Sequence, residues 1–204
     1  MTAVGDRAIV GGASITTSNH RFKDNEPNLS QPVPGIDADF NWVVPGLAVG
    51  GQPSRQQTYR LHKLGIGAIL SMRSEDDPED NSAWAQRCGL QYQRVTVADG
   101  VPISQEALEE IAELVGRWRR DGLSVLIHCQ AGRRRGPIGV AAVLISEGWT
   151  PEEALERVWK TRKQFAPTPD QMRSLWRYAR NESPGRWLIG LMQRLRTWST
   201  RATE

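Results

Sequence analysis

With 204 residues, 39% of them hydrophobic, the chain is long enough for one ordinary domain with a buried core and tails. Two cysteines, Cys88 and Cys129, exclude a disulfide scaffold and a zinc site built on cysteine alone, and they favour a reducing compartment. The net charge of +3 is mild, but its positive side is nearly all arginine, since lysine occurs only at positions 23, 63, 160 and 163. A coding bias and an affinity for phosphate-bearing partners both account for that excess. Met1 to Ser18 lacks a basic start followed by an apolar run, and no stretch approaches the length of a membrane span. The expected location is therefore cytoplasmic, with no nucleic-acid partner.

Residues 1–37 are rich in Gly, Ser, Thr, Asn and Pro without a sustained period, and read as a flexible N-terminal tail. A single domain is expected over 38–181. Asp39 to Val44 begins ordered structure, Pro45-Gly46 makes a turn, and Leu47-Ala48-Val49 is a second short strand. Ser54 caps a helix over Arg55 to Lys63 that ends at Gly65. Ile66 to Met72 is the next strand. Asp76 to Asp80 reads as an acidic loop, Asn81 to Cys88 as a short helix closed by Gly89, and Leu90 to Val97 as a strand. Asp99-Gly100, with Pro102 behind it, marks a tight loop. Ser104 then caps a helix to about Arg120, with Leu108, Ile111, Val115 and Trp118 on one face.

Val125 to Ile127 is a short apolar run of the kind that makes a buried strand. It runs straight into His128-Cys129-Gln130-Ala131-Gly132-Arg133-Arg134-Arg135-Gly136-Pro137. A second apolar run, Ile138 to Ile145, ends at Glu147-Gly148, a helix terminus. Thr150-Pro151-Glu152-Glu153 is a capping box with proline at the first helical position, leading a helix that should turn Leu155, Val158 and Trp159 inward. Thr168-Pro169-Asp170-Gln171 is another such start, before a helix expected to bury Met172, Leu175 and Trp176. Strands alternating with helices, followed by helices alone, argue an α/β fold with a central sheet flanked by helices.

Residues 182–204 read as a separate amphipathic helix. Trp187, Leu188, Leu191, Met192, Leu195 and Trp198 share one face, with Arg186, Gln193 and Arg196 opposite. Packing on the domain, peripheral contact with an anionic membrane, and pairing with a second copy all fit such a helix.

The chemistry converges on the strand–loop–helix around Cys129. Backbone N–H groups at a helix N-terminus bind anions and favour a thiolate. Arg135, six positions after the cysteine, offers a planar fork for two phosphate oxygens. A thiolate, a nest of amides over Gln130, Ala131, Gly132, Arg133, Arg134 and Arg135, and an arginine clamp suit attack on phosphorus.

The pattern His-Cys-x-x-Gly-x-x-Arg resembles the signature of the cysteine-dependent protein tyrosine and dual-specificity phosphatases. The strand pair, Pro45 to Ser54 and the helix after them resemble the start of the dual-specificity fold. The resemblance covers roughly residues 38 to 181 and implies a mostly parallel central sheet. It implies a phosphocysteine intermediate on Cys129 and a reaction that needs no metal or other cofactor. It also implies that Asp99, thirty residues before the cysteine in Asp-Gly-Val-Pro, is the general acid, with Asp76, Asp77 and Asp80 as alternatives. His128 would tune the cysteine and brace the loop, and would not act as a base. Gln171 is similar to a glutamine found downstream of the signature, although its place in a capping box also explains it.

The first substrate class implied is a phosphotyrosine or phosphothreonine protein. A phosphoinositide or inositol phosphate is the second, supported by Arg133, Arg134 and the cationic C-terminal helix. There is one departure: the family usually carries Ser or Thr after the arginine, and this chain has Gly136-Pro137. The missing hydroxyl would assist the departing sulfur, so its absence raises a third reading, a phosphate-binding adaptor with little turnover.

Overall fold

The computed structural model describes residues 39–75 and 81–181. The expected N-terminal tail over 1–37, the acidic loop with Asp76, Asp77 and Asp80, and the helix expected over 182–204 lie outside the described residues. Along the chain come β1 (Phe40–Val44), β2 (Leu47–Gly50), α1 (Arg55–Lys63), β3 (Ile66–Ser71), α2 (Ser82–Arg87), β4 (Gln91–Arg94), α3 (Gln105–Arg120), β5 (Ser124–His128), α4 (Arg135–Ser146), α5 (Pro151–Thr161) and α6 (Pro169–Asn181). The sheet order is β1-β2-β5-β3-β4, with β1 antiparallel at one edge and the other pairings parallel. The α/β fold with a mostly parallel central sheet is thus the one expected.

Side-chain alternation divides the strands between two cores. Leu47, Val49, Val125 and Ile127 point into the larger one, under α3 to α6, while Ala48 and Leu126 point into the smaller one with Leu61 of α1 and Ala85 of α2. In β3 the register shifts between Ile66 and Ala68, so Ile66 and Ile69 face the smaller core three residues apart. Side-chain caps fix the helix starts. Ser54 with Gln57 and Thr150 with Glu153 form reciprocal capping boxes, Ser104 accepts from the Ala107 amide, and Thr168 exchanges bonds with Gln171.

Three expectations need correction. Trp159 is 54% exposed and Trp176 38%, not buried. In α5 the buried row is Ala154, Val158 and then Arg162 just past the helix, four residues apart, so an arginine takes the place that hydropathy gives to tryptophan. In α6 the row is Gln171, Ser174, Leu175 and Tyr178, again partly polar, and it leaves Trp176 on the flank. The strand expected over Leu90 to Val97 closes at Arg94, and Val95 makes one last bond to the Ser71 carbonyl. The Val97 carbonyl turns to Arg135 instead.

Candidate active site

The carboxyl ends of β2, β5 and β3 stop level, with Gly50 and Ser71 both paired to His128, and the β3–β4 ladder ends there too, with Ser71 paired to Arg94. In a parallel sheet that edge is where ligands bind. Cys129 leaves the middle strand, 3% exposed, and the next five residues loop over to Arg135 at the start of α4.

The loop is held by its carbonyls. The Cys129 carbonyl lies 3.2 Å from His128 Nδ1. The Gln130 carbonyl accepts from the Gln52 amide at 3.0 Å, and that of Arg133 from the Ala166 amide at 2.8 Å. Ala131 and Gly132 present their carbonyls to Arg162, at 3.2 Å and 2.9 Å. The Arg134 carbonyl accepts from Ile138 in the first turn of α4. A planar trans peptide points its N–H opposite to its C=O. Six consecutive anchored carbonyls therefore turn the amides of Gln130 to Arg135 the other way. Among the described residues no protein acceptor meets the amides of residues 130–134. Such a row of free N–H groups is an anion cradle.

Glycine is required where the loop is tightest. Gly132 has φ +60, and a side chain there would meet the Gly50 backbone at 2.4 Å and Arg162 Nη2 at 2.5 Å.

Two buried arginines serve this loop in opposite ways. Arg162, 2% exposed, uses all five guanidinium donors within the protein. Nε reaches Gly132, Nη1 reaches Asp39 Oδ1 (2.6 Å) and Asn41 Oδ1 (3.0 Å), and Nη2 reaches Asp39 Oδ2 (2.6 Å) and Ala131. Arg135, 3% exposed, gives Nη1 to the Val97 carbonyl at 2.9 Å, while its buried Nε has no hydrogen-bond acceptor among the described residues. A buried donor without a hydrogen-bond acceptor in a native fold calls for a ligand or a function.

Asp99 stands over this donor, its Oδ1 3.3 Å from Arg135 Nε and its Oδ2 3.6 Å from Arg134 Nη1, with the carboxylate 57% exposed. The loop that carries it is pinned at both ends. Arg135 holds Val97 on one side, and on the other the Ile103 amide donates to Ser174 Oγ of α6 at 3.1 Å. Gly100 makes the turn between them with φ +75.

His128 is buried and its ring is pushed down to about 4. Burial is the main cause, and the cations of Arg73, Arg94 and Arg135 add to it against the contact with the Cys129 carbonyl. The ring is therefore neutral at pH 7, and in its Nδ1–H tautomer it donates to that carbonyl, which braces the loop. Gly136 sits directly behind the cysteine. A side chain there would find the Cys129 nitrogen at 3.4 Å and the His128 carbonyl carbon at 3.5 Å, which is ordinary contact distance.

The sequence-expected residues Cys129, Arg135, Asp99 and His128 thus meet at one sheet edge, and the amides of residues 130–135 share one orientation. Arg134 is drawn to Asp99, whereas Arg133 is exposed and its side chain makes no ion pair among the described residues. Sequence reasoning missed Arg162, Asp39 and Ser174. Arg162 carries one faint signal, its spacing of four from Val158 in a buried row.

These features define a dual-specificity-phosphatase fold with a cysteine-bearing loop, its amides turned to one side, at the end of its central strand. A model of the dual specificity phosphatase catalytic domain matches residues 47–181, and the chain belongs to that family. It is 29% identical over 140 residues to the human protein named phosphatidylglycerophosphatase and protein-tyrosine phosphatase 1, across 65% of this chain and 69% of that one. To the Arabidopsis thaliana phosphatidylglycerophosphate phosphatase PTPMT2 it is 23% identical over 156 residues, across 73% and 68%. The crystal structure of PTPMT1 in complex with PI(5)P superposes with a TM-score of 0.64 at 25% identity, over 70% of this chain and 95% of that one. The chain is accordingly a phosphatase-family protein of the cysteine type.

Proposed function

We propose that this protein hydrolyses the phosphate monoester of a phosphorylated lipid headgroup through a phosphocysteine on Cys129. The carrying observation is the cradle itself: six anchored carbonyls, their amides turned the other way, and between the buried Cys129 and α4 an Arg135 Nε that has no hydrogen-bond acceptor among the described residues and only the Asp99 carboxylate, 3.3 Å away, as its ion partner. The Cys129 sulfur attacks phosphorus, the amides and Arg135 stabilise the charge on the equatorial oxygens, and Asp99 protonates the leaving oxygen. Water, deprotonated by the same Asp99, then breaks the phosphorus–sulfur bond. The neutral His128 holds the loop and takes no proton.

The lipid reading rests on Arg133. Arg134 is spent on Asp99, so Arg133 is the cation of the pair left to read a further anionic group. A phosphoinositide and a phosphatidylglycerophosphate both carry a phosphodiester near the monoester, and the names of the relatives fit that chemistry. Such a substrate puts the protein at a membrane surface, and no described helix is long and apolar enough to cross one. A phosphotyrosine or phosphothreonine protein is the second reading. It is favoured by Val101, 42% exposed two residues from Asp99, an apolar edge suited to an aromatic ring.

The test is phosphate release from vesicles holding phosphatidylglycerophosphate or a monophosphorylated phosphoinositide, beside a phosphotyrosine peptide and a small aryl phosphate. The lipid should be preferred. Arg133→Ala should cost about 10–100-fold on the lipid, the worth of one hydrogen bond to a charged group, and leave the aryl phosphate nearly unchanged. Preference for the phosphopeptide, with Arg133→Ala without effect on either class, would replace the lipid reading by the protein one.

A further inference from the structure

We infer that Arg162, paired with Asp39, is a positioning residue that holds the phosphate loop in its anion-binding form. The inference rests on the reading of that loop as the phosphate site and adds residues from outside it.

The geometry is specific. Arg162 lies just beyond α5, thirty residues from the loop, and Asp39 lies just ahead of β1. The guanidinium takes the carbonyls of Ala131 and Gly132, two neighbouring peptides at the middle of the loop. Fixing those oxygens aims the amides of Gly132 and Arg133 away from Arg162. Among the described residues no backbone amide serves these two carbonyls, whereas those of Gln130, Arg133 and Arg134 each accept from one. Without Arg162 both peptides are free to rotate and present carbonyl oxygens, instead of N–H groups, to a bound anion.

Burying a cation unpaired is strongly unfavourable, so the arginine needs its own partner. Asp39 supplies one through two bonds of 2.6 Å, and Asn41 takes the remaining donor. Asp39 is itself 56% exposed, so the pair lets a buried cation be neutralised from the surface. Gly132 completes the fit, because any side chain there would strike Arg162 Nη2.

A purely structural arginine and a positioning arginine make different predictions. Three measurements on the full chain separate them: thermal stability, inhibition by orthovanadate, and the rate at which iodoacetate alkylates Cys129 at mildly acidic and at alkaline pH. Arg162→Ala should weaken orthovanadate and lower kcat/KM on an aryl phosphate by about 10²-fold, the usual cost of a displaced catalytic geometry. Its alkylation should slow more at mildly acidic than at alkaline pH, because the reoriented peptides present carbonyl oxygens instead of N–H groups to the sulfur. Arg162→Lys should recover part of both effects. Asp39→Asn, which keeps the arginine but removes its charge partner, should shift both in the same direction and less.

If folded Arg162→Ala keeps the parent's orthovanadate affinity and alkylation ratio, the inference is overturned, whatever happens to its melting temperature. Should Arg162→Ala not fold, Asp39→Asn and Arg162→Lys decide, and parental values in both overturn it equally. Failure of the parent itself to bind orthovanadate would instead refute the phosphate-site reading.

Discussion

Gly136 is the residue at which this site departs from its family pattern, and the structure gives the departure a measurable consequence. In the proposed mechanism the first chemical step would draw on Arg135, Asp99 and the amide cradle, which lie together at one sheet edge. The second returns negative charge to the Cys129 sulfur with no hydroxyl supplied by position 136. A hydrogen bond to a charged group is worth about 1.5–3 kcal/mol, or roughly 10–100-fold in rate. Turnover should therefore begin with a burst of leaving group close to the enzyme concentration and settle to a slow steady state. A side chain at position 136 meets its neighbours only at ordinary contact distance, so Gly136→Ser should fold. It should speed the steady state and shrink the burst. Linear release from time zero in the parent, with no phosphocysteine seen by mass, would show that the missing hydroxyl does not limit it.

At the scale of elements, the sequence made the frame legible and hid the polar side chains built into it. Ser54, Ser104, Thr150 and Thr168 each announce a helix start, because a cap is a local bond between residues three apart. The strand into Cys129 and the helix after it are equally local. Placing Asp99 with Arg135 was possible through the family spacing, and the two do meet. What hydropathy could not show is that Arg162, Gln171 and Ser174 occupy buried rows of α5 and α6. Arginine and serine read as solvated unless their partners are known, and these partners lie far away in sequence: Asp39 for Arg162, Ile103 for Ser174. The exposed Trp159 and Trp176 are the reverse of the same error. Trp159 stays outside with Lys163 over its ring at 4.5 Å. The strand expected to Val97 ends early for a related reason, since its last carbonyl belongs to the arginine of the loop.

For the molecule as a whole, the buried neutral His128 ties stability to pH. Its folded value of about 4 lies below the ordinary 6.5 of a free imidazole, so between those values the unfolded chain binds a proton that the folded one refuses. Stability from this group is complete above about pH 6.5 and is lost as pH falls toward about 4, in all roughly 3 kcal/mol. Half-buried Glu147 works the other way. Burial raises its carboxyl above 4.5 against the pull of Arg119, so ionising it costs stability as pH rises. Denaturant unfolding across this range, for the parent and for His128→Asn, separates the two. The parent should lose stability on acidification more steeply than the variant, and parallel curves would mean that His128 is not the group responsible.

The central claim is that Cys129 attacks phosphorus while Asp99 protonates the leaving oxygen. It is tested most directly by the leaving-group dependence of phosphate release, measured over aryl and alkyl phosphates for the parent, Asp99→Ala and Cys129→Ser. The account predicts no release by Cys129→Ser on any substrate. It predicts a loss of about 10²–10⁴ in Asp99→Ala for poor leaving groups, shrinking as the leaving group becomes more acidic and needs no proton. Release by Cys129→Ser at the parental rate, or an equal loss in Asp99→Ala across the whole series, would contradict it.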